Sequence, residues 1–266
     1  MVTLTLGLGA CSPTYRQDQL IESIQGISAK EYRFKVSARR VGQTLAVHLD
    51  HQGILQQVGS QVGVAPSANE IIGNLIEVIH RVVLSSDSEI RFYVALISDP
   101  NVPGVFLTVI RDLDDVRRVN TSMIPPTEFL SRTVFDLRYA ETASQSLEQL
   151  IPTDIRLEQF LAWQLTKRIQ ARLTNRFQLE GLGGADVGQC AGEFRNGEFV
   201  FTLNIAPKLG RQFTDDRIHQ IFEEATGEIA QVLSGYHFKD FEAIRLIHPL
   251  TGRIVLLPKT RLDLFR

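Results

Sequence analysis

The chain of 266 residues has two cysteines, Cys11 and Cys190, one tryptophan and two methionines. Two cysteines so far apart in sequence supply neither a disulfide framework nor a CxxC zinc cluster, and they assign the chain to no redox compartment. Charge of one sign is lacking as well. The 28 basic and 30 acidic residues leave a formal net charge of -2, so no global positive field draws the chain to nucleic acid or acidic lipid, and no nucleic-acid partner is expected. No stretch reaches the roughly 20 consecutive apolar residues of a membrane-spanning helix, so the body is expected to be water-soluble. Ser12, Ser131 and Ser234 lie in no Gly-x-Ser-x-Gly elbow, so no hydrolase signature is present. The glycine-rich 181–184 stretch with Gly188 has no GK[ST] after it and precedes a strand pattern, where a phosphate loop would need a helix N-terminus.

What is present is core material: 44% hydrophobic residues, with 15 Phe, suffice for one or two cores at the usual domain size of about 100–150 residues. Its patterning repeats. Residues 16–28 place Leu20, Ile21, Ile24 and Ile27 on one helical stripe, and 32–40 and 44–49 then alternate as strands around Gly42. Residues 69–84 give a second helix, followed by β-rich 90–97 and 105–110 with the turn residues Asp99, Pro100, Pro103 and Gly104 between them. The order recurs after residue 157. Leu157, Leu161, Leu165, Ile169 and Leu173 step by four along a helix over 157–173, with Gln170 read as a surface position. Strands at 188–194 and 198–205 flank Asn196-Gly197, a strong hairpin signal, and a fourth helix over 214–233 leads to strands at 241–247 and 253–257 around Gly252.

The expected fold is therefore α+β, with two similar halves, each helix-hairpin-helix-hairpin, and antiparallel sheets covered by helices on one face. Residues 42–49 overlay on 197–204, and 104–118 on 252–266, in the manner of an internal repeat. Residues 1–11 form an N-terminal segment, 12–122 the first half, 123–156 a connecting segment with Pro125-Pro126, and 157–266 the second half.

The apolar run 2–10 ends Leu8-Gly9-Ala10-Cys11, and Ser12-Pro13-Thr14 follows. This resembles the lipobox of bacterial lipoproteins, in which a leucine three positions before the cysteine and small residues beside it fit the peptidase that cleaves before Cys. The resemblance implies that Cys11 carries lipid, that the membrane and an envelope protein are the partners, and that the chain resides in the cell envelope. Residues 1–10 contain no Lys or Arg to form the basic start of an export signal. The competing expectation makes Val2, Leu4, Leu6 and Leu8 the buried face of a strand in a cytoplasmic protein.

Two clusters in the body carry potential chemistry. His48, Asp50 and His51 are the densest set of metal-ligand types, with His48 and Asp50 on one side of a strand, and a catalytic zinc would need a third ligand with an open position. Arg33, Lys35, Arg39 and Arg40 make a basic strand that either meets an anionic partner or guards a sheet edge against self-pairing. Asp112, Asp114 and Asp115 beside Arg111, Arg117 and Arg118 read as a solvated helical face with acidic N-terminal bias. Cys190 is expected to be a small core residue. No cofactor is implied. The functional expectation is a non-catalytic binding or scaffold protein of the envelope; the alternatives are a metal-dependent enzyme centred near His48 and a cytosolic nucleotide- or RNA-binding module.

Overall fold

Four long helices and the four expected hairpins form, the first helix running to Tyr32, four residues beyond its expected end, so that the first strand begins only at Val36. The computed structural model describes residues 14–59, 61–139, 154–179, 185–208 and 212–262. Among the described residues, helices α1 (Leu20–Tyr32), α2 (Ala68–Leu84), α3 (Leu113–Asn120), α4 (Pro126–Arg132), α5 (Leu157–Leu173), α6 (Asp215–Gly235) and α7 (Lys259–Leu262) accompany thirteen strands in an α+β fold. Two compact units divide at Asp154 and Ile155, inside the expected connecting segment.

In the first unit β1 (Val36–Val41) and β2 (Thr44–Asp50) form one hairpin, and β5 (Phe92–Ser98) and β6 (Val105–Asp112) another. The sheet order is β1-β2-β5-β6-β7, with β7 (Val134–Tyr139) antiparallel to β6. The expectation of wholly antiparallel sheets is corrected here, because β2 and β5 run parallel, Thr44 opposite Phe92 and Asp50 opposite Ser98. The helix between the two hairpins returns the chain to the same end of the sheet, as a parallel pairing requires. β5 records this in its sequence: Phe92 to Ile97 is buried without alternation, the mark of a strand covered on both faces. Leu20 and Ile24 of α1 and Leu75, Ile79 and Val82 of α2 pack on Leu45, Val47, Tyr93, Ala95 and Leu107 to form the core.

Between β2 and α2 lies a small hairpin, β3 (Leu55–Val58) with β4 (Gln61–Val64), a stretch whose pattern announces no element. Asp99, at the end of β5, ties it down. Its Oδ2 accepts from the backbone N–H of Ile54 (2.9 Å) and Leu55 (3.0 Å), and its Oδ1 from that of Asn101 (2.9 Å). Asp154 likewise closes the first hairpin turn, where its Oδ1 accepts from Gln43 N–H at 2.8 Å.

The second unit has the sheet order β13-β12-β10-β9, in which β9 (Ala191–Arg195) pairs with β10 (Glu198–Thr202) and β12 (Ala243–His248) with β13 (Arg253–Pro258). Again the central pair, β10 with β12, is parallel. A short ribbon of β8 (Ala185–Val187) and β11 (Ile205–Pro207) stands beside this sheet. Leu161, Leu165 and Ile169 of α5 and Ile221, Ala225 and Ile229 of α6 bury against Phe199, Phe201, Ile244 and Leu246. Phe199 is the hub of an aromatic cluster, its ring 4.8 Å from Phe194, 5.8 Å from Phe241 and 5.9 Å from Phe238.

The first unit differs from the expected order by the β3–β4 hairpin and by α3, α4 and β7 after its last hairpin, and the turns of the β1–β2, β5–β6, β9–β10 and β12–β13 hairpins each carry a glycine at positive φ: Gly42, Gly104, Gly197 and Gly252. Asn196 also has φ 50°, so Asn196-Gly197 is the twisted two-residue turn that its sequence announces. The 123–156 segment is not all connection, since β7 joins the first sheet beside β6 and the helix α4 precedes it.

Candidate functional site

The structure divides the expected metal ligands. His48 Nε2 lies 2.8 Å from Ser98 Oγ, and that hydroxyl donates to Asp50 Oδ1 at 2.7 Å, so serine separates imidazole from carboxylate. Burial lowers the His48 pKa, partly opposed by the Asp50 charge. His51 turns elsewhere, with Nδ1 2.7 Å from the carbonyl of Gln52 and its ring edge-on to Phe34. No group of three or more His, Cys, Asp or Glu side chains is placed to hold a metal among the described residues.

The basic set is also divided. Arg33 caps the C-terminus of α1 in the left-handed conformation (φ 59°), and Lys35 lies in the exposed link that follows. Arg39 and Arg40 are half-buried on β1, where Arg40 Nε donates to the carbonyl of Gly42 at 2.8 Å. β1 is an edge of its sheet.

The acidic stretch after β6 differs from the solvated helical face expected of it. Asp112 caps α3, accepting from Asp114 N–H at 2.9 Å, and is buried, as is Asp115. Asp115 Oδ1 meets Arg132 Nη1 at 2.8 Å, and Arg132 Nε reaches Glu128 Oε1 at 2.9 Å. This buried network joins α3 to α4, and removing one partner would strand a charge in the interior. Burial pushes Asp112 up to about 6, against the pull of the Asp114 amide and Arg91. Cys190 is a buried core residue whose backbone N–H donates to Gln170 Oε1 (3.2 Å) and whose thiol pKa burial raises. Gln170 is therefore a partner of the β8–β9 link, not the silent surface position its place in α5 implied. The 181–184 glycines and Cys11 lie outside the described residues.

One apolar cleft has almost no signature in the sequence. An open cleft of about 550 Å³ sits in the second unit between the β8–β11 ribbon and the β12–β13 turn, lined by Gly188, Leu203, Ile205, Ala206, Pro249 and Leu250. Its lining is mainly apolar, and Leu250 at its rim is 62% exposed. Two bonds set its walls: Asn204 Nδ2 donates to the carbonyl of Gln189 (2.6 Å), and the Gly188 N–H to that of Asn204 (2.7 Å). Beneath it His248 is fully buried, with Nε2 2.9 Å from the Ile205 carbonyl and Nδ1 2.7 Å from Thr251 Oγ1. Those bonds fix the ribbon to the turn. An apolar concavity with an exposed leucine on its rim has the lining that suits apolar groups, and none of its lining side chains is a nucleophile with a base beside it. The only sequence signal for it was Leu250 in a turn, where an apolar residue has no core to reach.

No protein-family model, curated protein or solved structure is matched by this chain.

Proposed function

We propose that the chain is a non-catalytic binding protein of the bacterial cell envelope, anchored by lipid on Cys11, which holds an apolar segment of a second envelope protein. The observation that carries the binding half is the apolar cleft rimmed by exposed Leu250. At about 550 Å³ it falls within the range of ligand pockets and has room for a few aliphatic side chains. The anchoring half is supported by the sequence Leu8-Gly9-Ala10-Cys11-Ser12. One acyl chain binds membranes only marginally, whereas two or more give stable attachment, so lipidation of the kind a lipobox directs is sufficient to hold a water-soluble body.

Each half has its own test. In cells making the full-length protein, labelled fatty acid should enter the wild type and not Cys11→Ser, and the substitution should move the protein from the membrane to the soluble fraction. A wild type that takes up no label and stays soluble removes the envelope from the proposal. A photo-crosslinking amino acid at Leu250 should yield a discrete adduct that the same probe at exposed Gln231 of α6 does not. Equal labelling at both positions removes the cleft.

A further inference from the structure

The apolar cleft of the second unit has a chemical sign, because the polar side chains in its lining offer acceptors. The β8–β11 ribbon pairs Asp186 with Ala206, and the next step of the ladder sets Gly188 opposite Asn204, where the Gly188 N–H donates to the Asn204 carbonyl at 2.7 Å. Alternation puts these four residues on one face of the ribbon, while Ala185, Val187 and Ile205 turn to the core. All four are exposed, and all four line the cleft. Gly188 and Ala206 have no side chain beyond Cβ and keep the floor low, and Pro249 and exposed Leu250 of the β12–β13 turn supply an apolar wall. Asn204 Nδ2 is committed to the Gln189 carbonyl at 2.6 Å, which fixes the amide and leaves Oδ1, an acceptor, for a ligand. Among the described lining residues Asp186 is the charged one, and no cation among the described residues pairs with it. Arg253, past the turn, is paired with Asp215, and Lys208, two residues beyond Ala206, does not line the cleft. His248 beneath is fully buried with both ring nitrogens engaged.

A carboxylate and an amide oxygen beside an aliphatic surface accept donors and repel a second carboxylate. We propose that the segment held by this cleft presents an aliphatic side chain next to a lysine or arginine, the aliphatic group lying on Gly188, Ala206 and Leu250 and the cation meeting Asp186. The inference rests on the proposed binding role of the cleft and adds the sign of the partner's charge. Lysine and arginine suit such a place, because their methylenes cover apolar surface while the charged head stays in water. Asp186 is exposed, so its charge sorts partners more than it tightens them: an ion pair in water is weak, yet a like charge set against it is rejected.

The test is an NMR titration of the full chain, labelled at leucine methyls and glycine amides, with three acetylated and amidated peptides Ala-Leu-X-Leu-Ala in which X is Lys, Gln or Glu. Each should shift the Leu250 methyl and Gly188 amide signals. At low salt the Lys peptide should bind at least about threefold more tightly than the Glu peptide, with the Gln peptide between them. Asp186→Asn should level the three affinities, and Asp186→Lys should reverse their order, while methyl signals remote from the cleft stay in place and report an intact fold. Equal affinities of the three peptides for the wild type overturn the charge preference and leave the apolar cleft standing. A lysine preference that survives Asp186→Asn overturns the assignment to Asp186. No shift at Leu250 with any peptide overturns both the inference and the binding role it rests on.

Discussion

Two buried carboxylates and one half-buried histidine make the fold answer to pH, and in opposite directions. Burial alone would raise the pKa of Asp99, but the backbone N–H groups of Leu55, Asn101, Ile54 and Gly53 outweigh it and hold the carboxyl below its ordinary value. The stability it brings is complete above about pH 4 and is lost as pH falls through its own, lower pKa. Asp99→Ala should cost on the order of 3 kcal/mol in urea unfolding at neutral pH, because several buried amides lose their acceptor. Burial and the nearby Arg111 bring His80 down to about 4, with Nε2 2.8 Å from the Tyr93 hydroxyl, which burial pushes up to about 12. The fold thus favours neutral imidazole, and this contribution fades as pH drops from about 6.5 toward 4; an NMR titration should find His80 uncharged at about pH 5. Asp112 runs the other way. Its raised pKa means that ionisation weakens the fold as pH climbs toward 6 and beyond, so Asp112→Asn, which keeps a capping oxygen, should melt higher than the parent at about pH 7.5 and no higher at about pH 4. None of this was legible in the sequence. Asp112 and Asp115 sit in a run of charges that reads as solvated, yet Asp112 is buried beside Arg91 and Asp115 against Arg132 of α4.

Among the elements, legibility followed periodicity. The four long helices and the eight strands of the four hairpins declare themselves by stripes and turn residues, and α5 spans the residues its leucine spacing marks out. β7 reads as connection because its partner β6 lies across α3 and α4, where no turn signal points to it. The parallel central pairs were missed for a related reason: a hairpin is written in adjacent residues, whereas the partner of β2 is chosen by where α2 delivers the chain. The unbroken burial of β5 was the available hint. Leu165→Ala in α5 and Ile221→Ala in α6 should each cost about 2–5 kcal/mol, as both side chains are fully buried, with Gln231→Ala as the quiet control. Gly192→Ala should also destabilise, by roughly 1–3 kcal/mol, because a Cβ on β9 would collide with Thr166 Oγ1 and the Phe201 ring and force α5 away from the sheet. Chemical unfolding monitored by circular dichroism ranks all four.

At the scale of the whole chain, each of the two units has its own core and its own parallel central pair. A fragment spanning residues 155–266 should accordingly melt as a cooperative unit in calorimetry; a broad, non-cooperative trace would mean that the division at Ile155 is not a folding boundary. The central pairs also set a schedule for synthesis. As the chain leaves the ribosome, β1 and β2 can close around Gly42 within a few residues, but β2 then presents a bare edge bearing Leu45, Val47 and Leu49 until Phe92 and the rest of β5 emerge. The same wait recurs between β10 and β12, from Glu198 to Ala243. Twice during its manufacture, then, the nascent chain passes through an interval in which a hydrophobic strand has been made and its neighbour has not. Those intervals are where holding chaperones would matter most and where a stalled ribosome would release the most aggregation-prone fragments.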